Sequence, residues 1–290
     1  MWRDDASGPA ARMALFPGHA SGAGAFAISM EAFRQFKAWI HEVAGISLAD
    51  HKHALVTSRL APRLRHYRLT DYGEYFRLLT SGDAPGEAQI AVDLLTTNET
   101  HFFREPRHFD FLRETIAATH DTARPLRVWS AASSSGEEPY SIAMSLAASM
   151  GERAWEVLAS DVSSRVLERA KTGHYAMARA QSIPRQFLHD YCLKGIGERE
   201  GTFLVAPAIR DRIRFLQVNL NEELPRVGEF DAIFLRNVMI YFDQATKRRV
   251  VTRLVRHLRR GGYLLVGHAE SLNGVFDELH CTAVSVYRKP

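Results

Sequence analysis

Residues 127–144 read Arg-Val-Trp-Ser-Ala-Ala-Ser-Ser-Ser-Gly-Glu-Glu-Pro-Tyr-Ser-Ile-Ala-Met, and this stretch decides the fold. A run of strand-forming residues ends in a loop of small residues, and an amphipathic helix begins at once. Such a unit brings the backbone close to a ligand at the first turn of nucleotide-binding folds. Here the loop ends in Glu137 and Glu138. Two carboxylates would repel a phosphate but attract a cation, so the stretch favours a positively charged nucleoside such as S-adenosylmethionine over NAD or ATP.

From residue 96 onward, the sequence around this stretch alternates between short apolar runs and amphipathic segments. The apolar runs predict strands at 126–131, 157–160, 213–218, 232–235 and 263–267. The amphipathic segments predict helices near 139–149, 165–171 and 245–258. Strands that alternate with helices form right-handed βαβ units. The predicted fold class is therefore α/β, with a doubly wound, mostly parallel sheet, and a last run at 281–288 predicts one more strand at an antiparallel edge.

One interval departs from this alternation. Residues 172–211 are too many for an ordinary connection between two elements of a compact domain. The interval contains short strand candidates at 191–193 and 202–205, which lie among several glycines. We therefore predict an inserted antiparallel β-subdomain over about 172–211.

Residues 28–95 carry a helical pattern. Apolar residues recur three and four positions apart, in a series that comprises Phe33, Phe36, Trp39, Ile40 and Val43. This is the period of an amphipathic helix. We predict a small N-terminal all-helical domain over 28–95, followed by a larger domain over 96–290. Residues 1–27 are rich in Ala, Gly and Ser and lack the apolar core of a signal peptide, so we predict a disordered tail.

The composition is that of an ordinary globular enzyme. Of the 290 residues, 46% are hydrophobic and 24% are charged, which is close to the average. No apolar run approaches the roughly 18 residues of a membrane helix. The two cysteines, Cys192 and Cys281, are far apart and form no metal-ligand pattern. We therefore predict a reducing, cytoplasmic setting and no metal site.

The net charge of +4 is unevenly distributed. Eight histidine, lysine and arginine residues fall within residues 51–68, and Arg59 and Arg63 are among them. Such a run can be a solvated helix face, or it can be a landing surface for an acidic partner. The charge alone would also suit nucleic acid.

Polar side chains follow the predicted strands, at the positions where ligands bind in such sheets. Asp161 follows the second strand and could accept two hydrogen bonds from a ribose diol. Asn219 and Leu220 follow the third, where an amide could bond an adenine edge and an apolar neighbour could stack on the ring. Asn237 and Val238 follow the fourth. Each residue has an ordinary alternative, as a helix cap or a turn residue, but the series is more convincing than any one member.

Residues 96–105, Thr-Thr-Asn-Glu-Thr-His-Phe-Phe-Arg-Glu, precede the sheet. They mix hydroxyls, an amide and charges without an amphipathic period. The segment could be a linker whose capping box starts a helix. It could instead be a loop folded over the ligand pocket, with Asn98, Thr100 and Arg104 as polar contacts. Arg104 could then pair with the amino-acid carboxylate of the ligand.

The sequence contains no nucleophile elbow, no His-Glu-x-x-His and no phosphate loop. Most reactions would need a base, but methyl transfer to a carboxylate does not. A glutamate with a pKa near about 4.3 is already ionised at neutral pH. It needs only in-line placement and the exclusion of water. Methylation of nucleic-acid bases would favour an Asn/Asp-Pro-Pro-aromatic turn after the fourth strand, where this chain has Arg-Asn-Val-Met-Ile-Tyr at 236–241.

Five motifs occur in a fixed order along the chain. They are Thr-Thr-Asn-Glu-Thr-His-Phe-Phe-Arg-Glu at 96–105, Trp-Ser-Ala-Ala-Ser-Ser-Ser-Gly-Glu-Glu-Pro-Tyr-Ser at 129–141, Leu-Ala-Ser-Asp-Val at 158–162, Phe-Leu-Arg-Asn-Val-Met-Ile-Tyr-Phe at 234–242 and Gly-His-Ala-Glu-Ser at 267–271. Together they resemble the chemotaxis receptor methyltransferases, the CheR family, from about residue 30 to the end. The resemblance implies a Rossmann-like class I methyltransferase fold. It also implies methyl transfer from S-adenosylmethionine to receptor glutamates, which yields glutamyl methyl esters and S-adenosylhomocysteine in chemotactic adaptation.

The same resemblance implies roles for individual residues. It places the cofactor against Asn98, Thr100, Arg104, Glu137, Asp161, Asn219, Leu220, Asn237 and Val238. It places Tyr241 near the transferring methyl group, and it leaves Glu138 only to favour the helix N-terminus. The helical domain, with Arg59 and Arg63 on one face, would meet the acidic helices of the cytoplasmic domain of a chemoreceptor.

The resemblance also implies a property of the β-subdomain. The β-subdomain docks a receptor's C-terminal peptide in some members, so this chain could do the same. We expect a monomer that neither enters the membrane nor binds nucleic acid. Two alternative functions stay open: a non-catalytic module that senses S-adenosylmethionine, and a nucleic-acid methyltransferase, which draws support only from the pI of 9.1.

Overall fold

The computed structural model of the protein describes residues 27–121 and 123–290. The tail predicted over 1–27 therefore falls outside the described residues, except for its last residue. In the described part of the chain, no helix is both long and apolar enough to cross a membrane.

Four helices form the N-terminal part of the molecule. They are α1 (Met30–Ala44), α2 (His53–Tyr67), α3 (Tyr72–Ser81) and α4 (Glu87–Leu95). Helix α1 begins where the Ser29 hydroxyl accepts a hydrogen bond from the Ala32 N–H at 3.1 Å, and it ends at Gly45, whose φ of 72° is left-handed. Phe36 and Ile40 on its apolar stripe are completely buried. The all-helical N-terminal domain predicted from the spacing is confirmed.

The remaining chain contains two sheets. The strands are β1 (Leu126–Ser130), β2 (Trp155–Asp161), β3 (His174–Ala176), β4 (Cys192–Lys194), β5 (Thr202–Val205), β6 (Ile213–Gln217), β7 (Phe230–Leu235), β8 (Leu258–Val266), β9 (His280–Ala283) and β10 (Val286–Arg288). Seven of them form the main sheet in the order β6-β2-β1-β7-β8-β10-β9. The first five are parallel, and β10 runs antiparallel to β8 and β9. The predicted α/β class is confirmed.

Helices cover both faces of this sheet. They are α5 (Arg107–Phe111), α6 (Glu137–Met150), α7 (Ser164–Thr172), α8 (Arg185–Tyr191), α9 (Pro207–Arg210) and α10 (Gln244–Arg256). Successive side chains of a strand point to opposite faces. Accordingly, Phe234 of β7 packs in the same core as Tyr140 of α6, whereas Ile233 and Leu235 pack in the core that contains Val250 of α10. The sheet is doubly wound.

The predicted antiparallel β-subdomain is present between α7 and β6. Its three strands lie in the order β3-β5-β4 and are all antiparallel, with α8 between β3 and β4. Tyr175 and Phe203 of this sheet pack on Phe102, the first aromatic residue of loop 96–105. The insert therefore packs against the loop that was predicted to cover the ligand pocket.

Two local details differ from the sequence-based expectations. The single strand expected at 281–288 is a hairpin of β9 and β10, because the chain turns at Ser285, where φ is 59°. Residues 96–105 form no helix, so the capping-box alternative for this segment is wrong.

Candidate functional site

A cavity of about 600 Å³ opens at the carboxyl ends of the parallel strands. One wall comes from the segments that follow β1, β2, β6 and β7. A second wall comes from loop 96–105, and a third comes from α2 and the segment that joins α1 to α2. Ligands of open α/β sheets bind at this edge, and the volume lies within the range of cofactor pockets. The cavity is therefore the candidate site.

Asp161, the last residue of β2, lines the cavity as predicted. Its Oδ2 accepts a hydrogen bond from the Ser134 N–H at 2.8 Å, and its Oδ1 accepts one from the Ser163 N–H at 3.0 Å. Burial raises the pKa of this carboxyl group, and the two N–H groups oppose that shift. The two bonds hold the carboxylate in one orientation, and its remaining lone pairs can accept from a diol.

The acidic pair at the start of α6 is divided in the opposite way from the prediction. Glu138 lines the cavity, whereas Glu137 has no exposed surface and does not line it. The Glu137 carboxylate accepts a hydrogen bond from the Ser135 hydroxyl at 2.6 Å and forms an ion pair with Arg179 of the insert. In this structure Glu138, and not Glu137, faces the cavity. The geometry therefore favours Glu138 for the cofactor contact, and the contact predicted for Glu137 stays a prediction.

Glu138 belongs to a buried ion-pair network that the sequence reasoning missed. Arg236, at the end of β7, has a side chain that is 1% exposed. Its Nη1 donates to Glu138 Oε2 at 2.9 Å, and its Nη2 donates to Glu105 Oε2 at 3.0 Å and to the carbonyl of Arg104. One guanidinium between two carboxylates leaves an excess negative charge beside the cavity. This excess suits a cationic ligand.

Asn219 and Leu220 line the cavity after β6, but the Asn219 amide already has partners in the protein. Its Nδ2 donates to the carbonyl of Val43 at 2.6 Å and to the Glu222 carboxylate at 2.8 Å, and its Oδ1 accepts from the Asn221 N–H at 3.0 Å. Asn219 therefore orders a turn and ties it to α1. Its contact with an adenine edge stays a prediction.

Asn237 and Val238 line the cavity after β7. Asn237 adopts a left-handed φ of 57°, and its N–H donates to Glu270 Oε2 at 2.8 Å. The same carboxylate oxygen accepts from the Gly267 N–H at 2.7 Å. A Cβ at Gly267 would lie 2.5 Å from Asn237 Nδ2, so this turn needs glycine there. The Gly-His-Ala-Glu-Ser motif thus shapes the segment after β7.

Loop 96–105 brings all three of its predicted site residues to the cavity: Asn98, Thr100 and Arg104. Arg104 Nη1 donates to the carbonyl of Glu99 at 3.1 Å, which folds the side chain back along its own loop. The neighbours of Arg104, Phe103 and Glu105, both have a positive φ, of 53° and 57°. Two non-glycine residues in this region require support from surrounding contacts.

Tyr241 lines the same cavity, on a single 3-10 turn (Met239–Tyr241) after β7. Burial raises the pKa of its phenol, and the nearby Glu99 raises it further. The hydroxyl is therefore protonated at neutral pH. In this state it can donate a hydrogen bond, and it cannot act as a base.

The two arginines predicted to meet the receptor lie in different surroundings. Arg59 lines the cavity, and its guanidinium donates to the carbonyls of Leu95 and Thr96, each at 2.9 Å. Arg63 instead forms a bidentate ion pair with Glu87, at 2.8 and 2.6 Å, and the Glu87 side chain is 1% exposed. Arg63 thus holds a buried carboxylate of its own domain, which is a structural contact, and its role in receptor binding stays a prediction.

Two sequence models of one family match the chain. The CheR methyltransferase, SAM binding domain, matches residues 98–287, and the CheR methyltransferase, all-alpha domain, matches residues 31–96. The chain belongs to the CheR methyltransferase family. The two matches meet where the helical domain gives way to loop 96–105, so both sides of the cavity lie within the family's domains.

Named relatives in this family match over most of the chain. A chemotaxis protein methyltransferase of Escherichia coli is 44% identical over 266 residues, which cover 90% of this chain and 91% of that protein. One of Salmonella typhimurium is 41% identical over 264 residues, with the same coverage. Chemotaxis protein methyltransferase 2 of Pseudomonas aeruginosa is 42% identical over 249 residues, which cover 85% of this chain and 88% of that protein.

The residues around the cavity fit S-adenosylmethionine, the cofactor of the family. Asp161 offers a fixed carboxylate for the ribose diol. Glu138, in the network with excess negative charge, suits the cationic end, and Arg104 suits the carboxylate of the amino-acid group. Val162 and Leu220 add apolar wall for the faces of the base. The cavity thus pairs each chemical part of the cofactor with a complementary group.

Residues with metal-binding side chains also meet beside the site. Glu105, His108 and His268 place one ligand atom each within 4.8 Å of one another. The carboxylate oxygen between the rings, Glu105 Oε2, already accepts from Arg236 at 3.0 Å. A metal ion there would lie beside a fixed guanidinium, so we assign no metal to this group.

Proposed function

We propose that the protein transfers a methyl group from S-adenosylmethionine to the side-chain carboxylate of specific glutamates of chemoreceptors and forms glutamyl methyl esters. One observation carries the proposal. A single cavity is lined by Asp161 on the sheet side and by Lys52 and Arg59 on the side of the helical domain. The first side suits a cationic nucleoside, and the second suits an anionic acceptor.

The lining also matches an acceptor that needs no base. Among the described residues that line the cavity there is no histidine and no cysteine. The Tyr241 phenol is protonated at neutral pH because burial raises its pKa. A glutamate carboxylate needs no deprotonation under these conditions, whereas a hydroxyl or thiol acceptor would need a base.

The roles of the residues follow from this arrangement. When bound, S-adenosylmethionine supplies an electrophilic methyl group on a sulfonium sulfur. Asp161 and Arg104 hold the two ends of the cofactor, and Arg59 with the Tyr241 hydroxyl orients the acceptor carboxylate. Leu48 and Leu55 exclude water from the acceptor side of the cavity. Placement and desolvation then supply most of the rate, as they do in reactions that lack proton transfer.

A radiolabel assay tests the activity. The protein is incubated with receptor-containing membranes and methyl-labelled S-adenosylmethionine, and the product is treated with alkali. We expect label that is released as volatile methanol, because glutamyl methyl esters are base-labile. Stable label, as methylated amines or nucleic acid would give, would contradict the proposal, and so would no label at all.

We further propose that Arg59 contributes to receptor recognition and that Arg63 does not. Arg59→Ala should lower the kcat/KM for receptor about tenfold, because a charge at the acceptor side of the cavity is lost. Its Kd for the cofactor should rise by less than about threefold, because Arg59 holds only the start of loop 96–105, at Thr96 and Thr97. Arg63→Ala should instead lower the melting temperature, because it leaves the buried Glu87 carboxylate without its cation. Equal loss of receptor methylation in the two variants, at equal folded protein, would contradict this division.

We also propose that the insert binds the C-terminal peptide of a receptor by strand addition at the edge strand β4, and that the enzyme acts as a cytoplasmic monomer. Strand β4 lies at the edge of its sheet, and Leu193 on it and Ile196 beyond it are exposed by 52% and 81%. An extended peptide can pair with such an edge. Titration with a receptor C-terminal pentapeptide tests the first part, with Leu193→Lys as the variant expected to lose binding. Light scattering tests the second.

A further inference from the structure

Besides Arg59, which donates to the carbonyl of Thr96 at the start of loop 96–105, two arginines of the larger domain hold this loop from two directions. Arg179 of the insert donates through Nη2 to the carbonyl of Thr100 at 2.9 Å. Arg236 of the main sheet donates through Nη2 to the carbonyl of Arg104. Both contacts go to the loop backbone, next to residues that face the cavity. The loop has no helix or strand of its own, so these bonds supply order that secondary structure does not.

Each arginine is paired with one member of the acidic pair at the start of α6. Arg179 forms an ion pair with Glu137, and Arg236 forms one with Glu138 at 2.9 Å. Adjacent side chains on a helix point in different directions. Glu137 therefore reaches Arg179 on the side of the insert, and Glu138 reaches Arg236 on the side of β7. The two arginines donate to the loop carbonyls of Thr100 and Arg104, which are four residues apart.

The two ion pairs are a weak source of stability, which argues for a role beyond holding the fold together. Buried ion pairs are often no more stabilising than apolar residues of similar size, because both charges lose their hydration. The Nε atoms of Arg179 and Arg236 are buried and have no hydrogen-bond partner. Arg104, which the loop must present, also lies between two residues with a positive φ. Such local strain persists only where the surroundings enforce it.

We propose that Glu137–Arg179 and Glu138–Arg236 are positioning pairs that clamp loop 96–105 over the cofactor cavity. Gly136 is part of the same device, because its φ of 97° directs the chain into the acidic pair, and a Cβ there would meet Ala170 and Tyr175 at 2.8 Å. The inference rests on the proposed function for the identity of the ligand. It assigns Arg179 and Arg236 no contact with the reacting atoms.

The test uses Arg179→Ala in the full chain, and thermal unfolding measures the stability that is lost because the buried Glu137 carboxylate is left without its cation. Amide hydrogen exchange over residues 96–105 is measured without ligand, and cofactor affinity by equilibrium dialysis with labelled S-adenosylmethionine. We expect exchange in the loop to accelerate about tenfold, since a clamped loop opens less often. The Kd and KM for the cofactor should rise at least about fivefold, and kcat at saturating cofactor should change less than about threefold. Arg179→Lys should recover part of the loss, because one nitrogen makes both bonds.

Arg63→Ala is the matched control. Arg63 is 19% exposed and is the arginine that pairs with the buried carboxylate of Glu87, and neither residue lines the cavity. This variant should change neither loop exchange nor Kd. Equal changes in both variants would mean a general loss of stability and would overturn the proposal. A higher Kd in Arg179→Ala with unchanged loop exchange would mean direct ligand contact and would also overturn it. If the wild-type protein does not bind S-adenosylmethionine, the proposed function fails. The exchange experiment is made without ligand, so it still tests whether the ion pairs hold loop 96–105 in place.

Discussion

Strand β7 carries an ion-pair network at each end, and the two networks differ in burial and in the balance of their charges. At the amino end, the single carboxylate of Asp231 accepts from two arginines, Arg124 at 2.7 Å and Arg259 at 2.8 Å. It also accepts from the N–H of Arg127 at 2.9 Å. Glu229 also pairs with Arg259 at 4.0 Å, so two acidic and two basic groups balance here, and both guanidinium groups are partly exposed to water.

At the carboxyl end, the single guanidinium of Arg236 lies between two carboxylates, Glu138 and Glu105. The excess here is negative, and the three side chains are 1 to 14% exposed. Water can solvate an excess charge at the surface, but an excess buried charge needs a partner. The charges of the amino end are therefore balanced in the free protein, whereas we expect a cation to bind at the carboxyl end. We therefore expect substitutions at the carboxyl end of β7 to weaken cofactor binding, and substitutions at the amino end to lower stability.

The largest effect is expected for Asp161→Ala, which removes the fixed carboxylate from the carboxyl edge. The Kd for S-adenosylmethionine should rise by about 100-fold, or about 2.7 kcal/mol, because charge-assisted hydrogen bonds to the ligand are lost. Isothermal titration measures the Kd, and thermal unfolding verifies that the variant is folded. A folded variant that binds within about threefold of wild type would remove Asp161 from the site.

Asp231→Ala should instead lower stability and leave cofactor affinity nearly unchanged. We expect the free energy of unfolding to fall by about 2 kcal/mol, because the Arg127 N–H loses its acceptor and two guanidinium groups lose their anion. The partly exposed arginines can turn to water, which limits the loss. Urea unfolding measures it. The Kd for the cofactor should stay within about twofold of wild type, and a larger change would mean that the two edges of the sheet are coupled.

The sequence predicted the architecture well because the relevant signals are local. Strand and helix periods, the small-residue loop before α6 and the polar residue at the end of β2 are all visible in short windows, and Asp161 lines the cavity as expected. What it missed are pairings between distant residues. Arg236 forms an ion pair with Glu105, which is 131 positions away in the sequence. No rule about residue spacing predicts such a contact. Likewise, the spacing of Arg59 and Arg63 shows that they share a helix face, but not that Glu87 lies opposite only Arg63.

The amino-end network also predicts how stability depends on pH. Burial alone would raise the pKa of Asp231, but Arg124, the Arg127 N–H and Arg259 together hold it below its ordinary value. A carboxyl group with a lowered folded pKa stabilises the protein above its unfolded pKa, near about 3.9, and this stability is lost as the pH falls through the folded value. The difference in unfolding free energy between wild type and Asp231→Ala should be constant from about pH 7 to about pH 5 and shrink below about pH 4. A difference that grows on acidification would contradict the assignment.

The smallest effect on cofactor affinity is expected for Ser130→Ala, in the network at the carboxyl end of β7. The Ser130 hydroxyl donates to Glu138 Oε1 at 2.7 Å. Burial raises the pKa of Glu138, and Arg236 and Ser130 oppose that shift. Removing the hydroxyl should raise the pKa further. Because Glu138 must be ionised to hold Arg236, cofactor affinity should fall on acidification at a higher pH in the variant than in wild type, with a change of less than about threefold at neutral pH. Dialysis with labelled cofactor across a pH series measures both curves, and Asp231→Ala, which leaves this network intact, should follow the wild-type curve. Superimposable curves for Ser130→Ala and wild type would show that the charge of Glu138 does not govern the cavity.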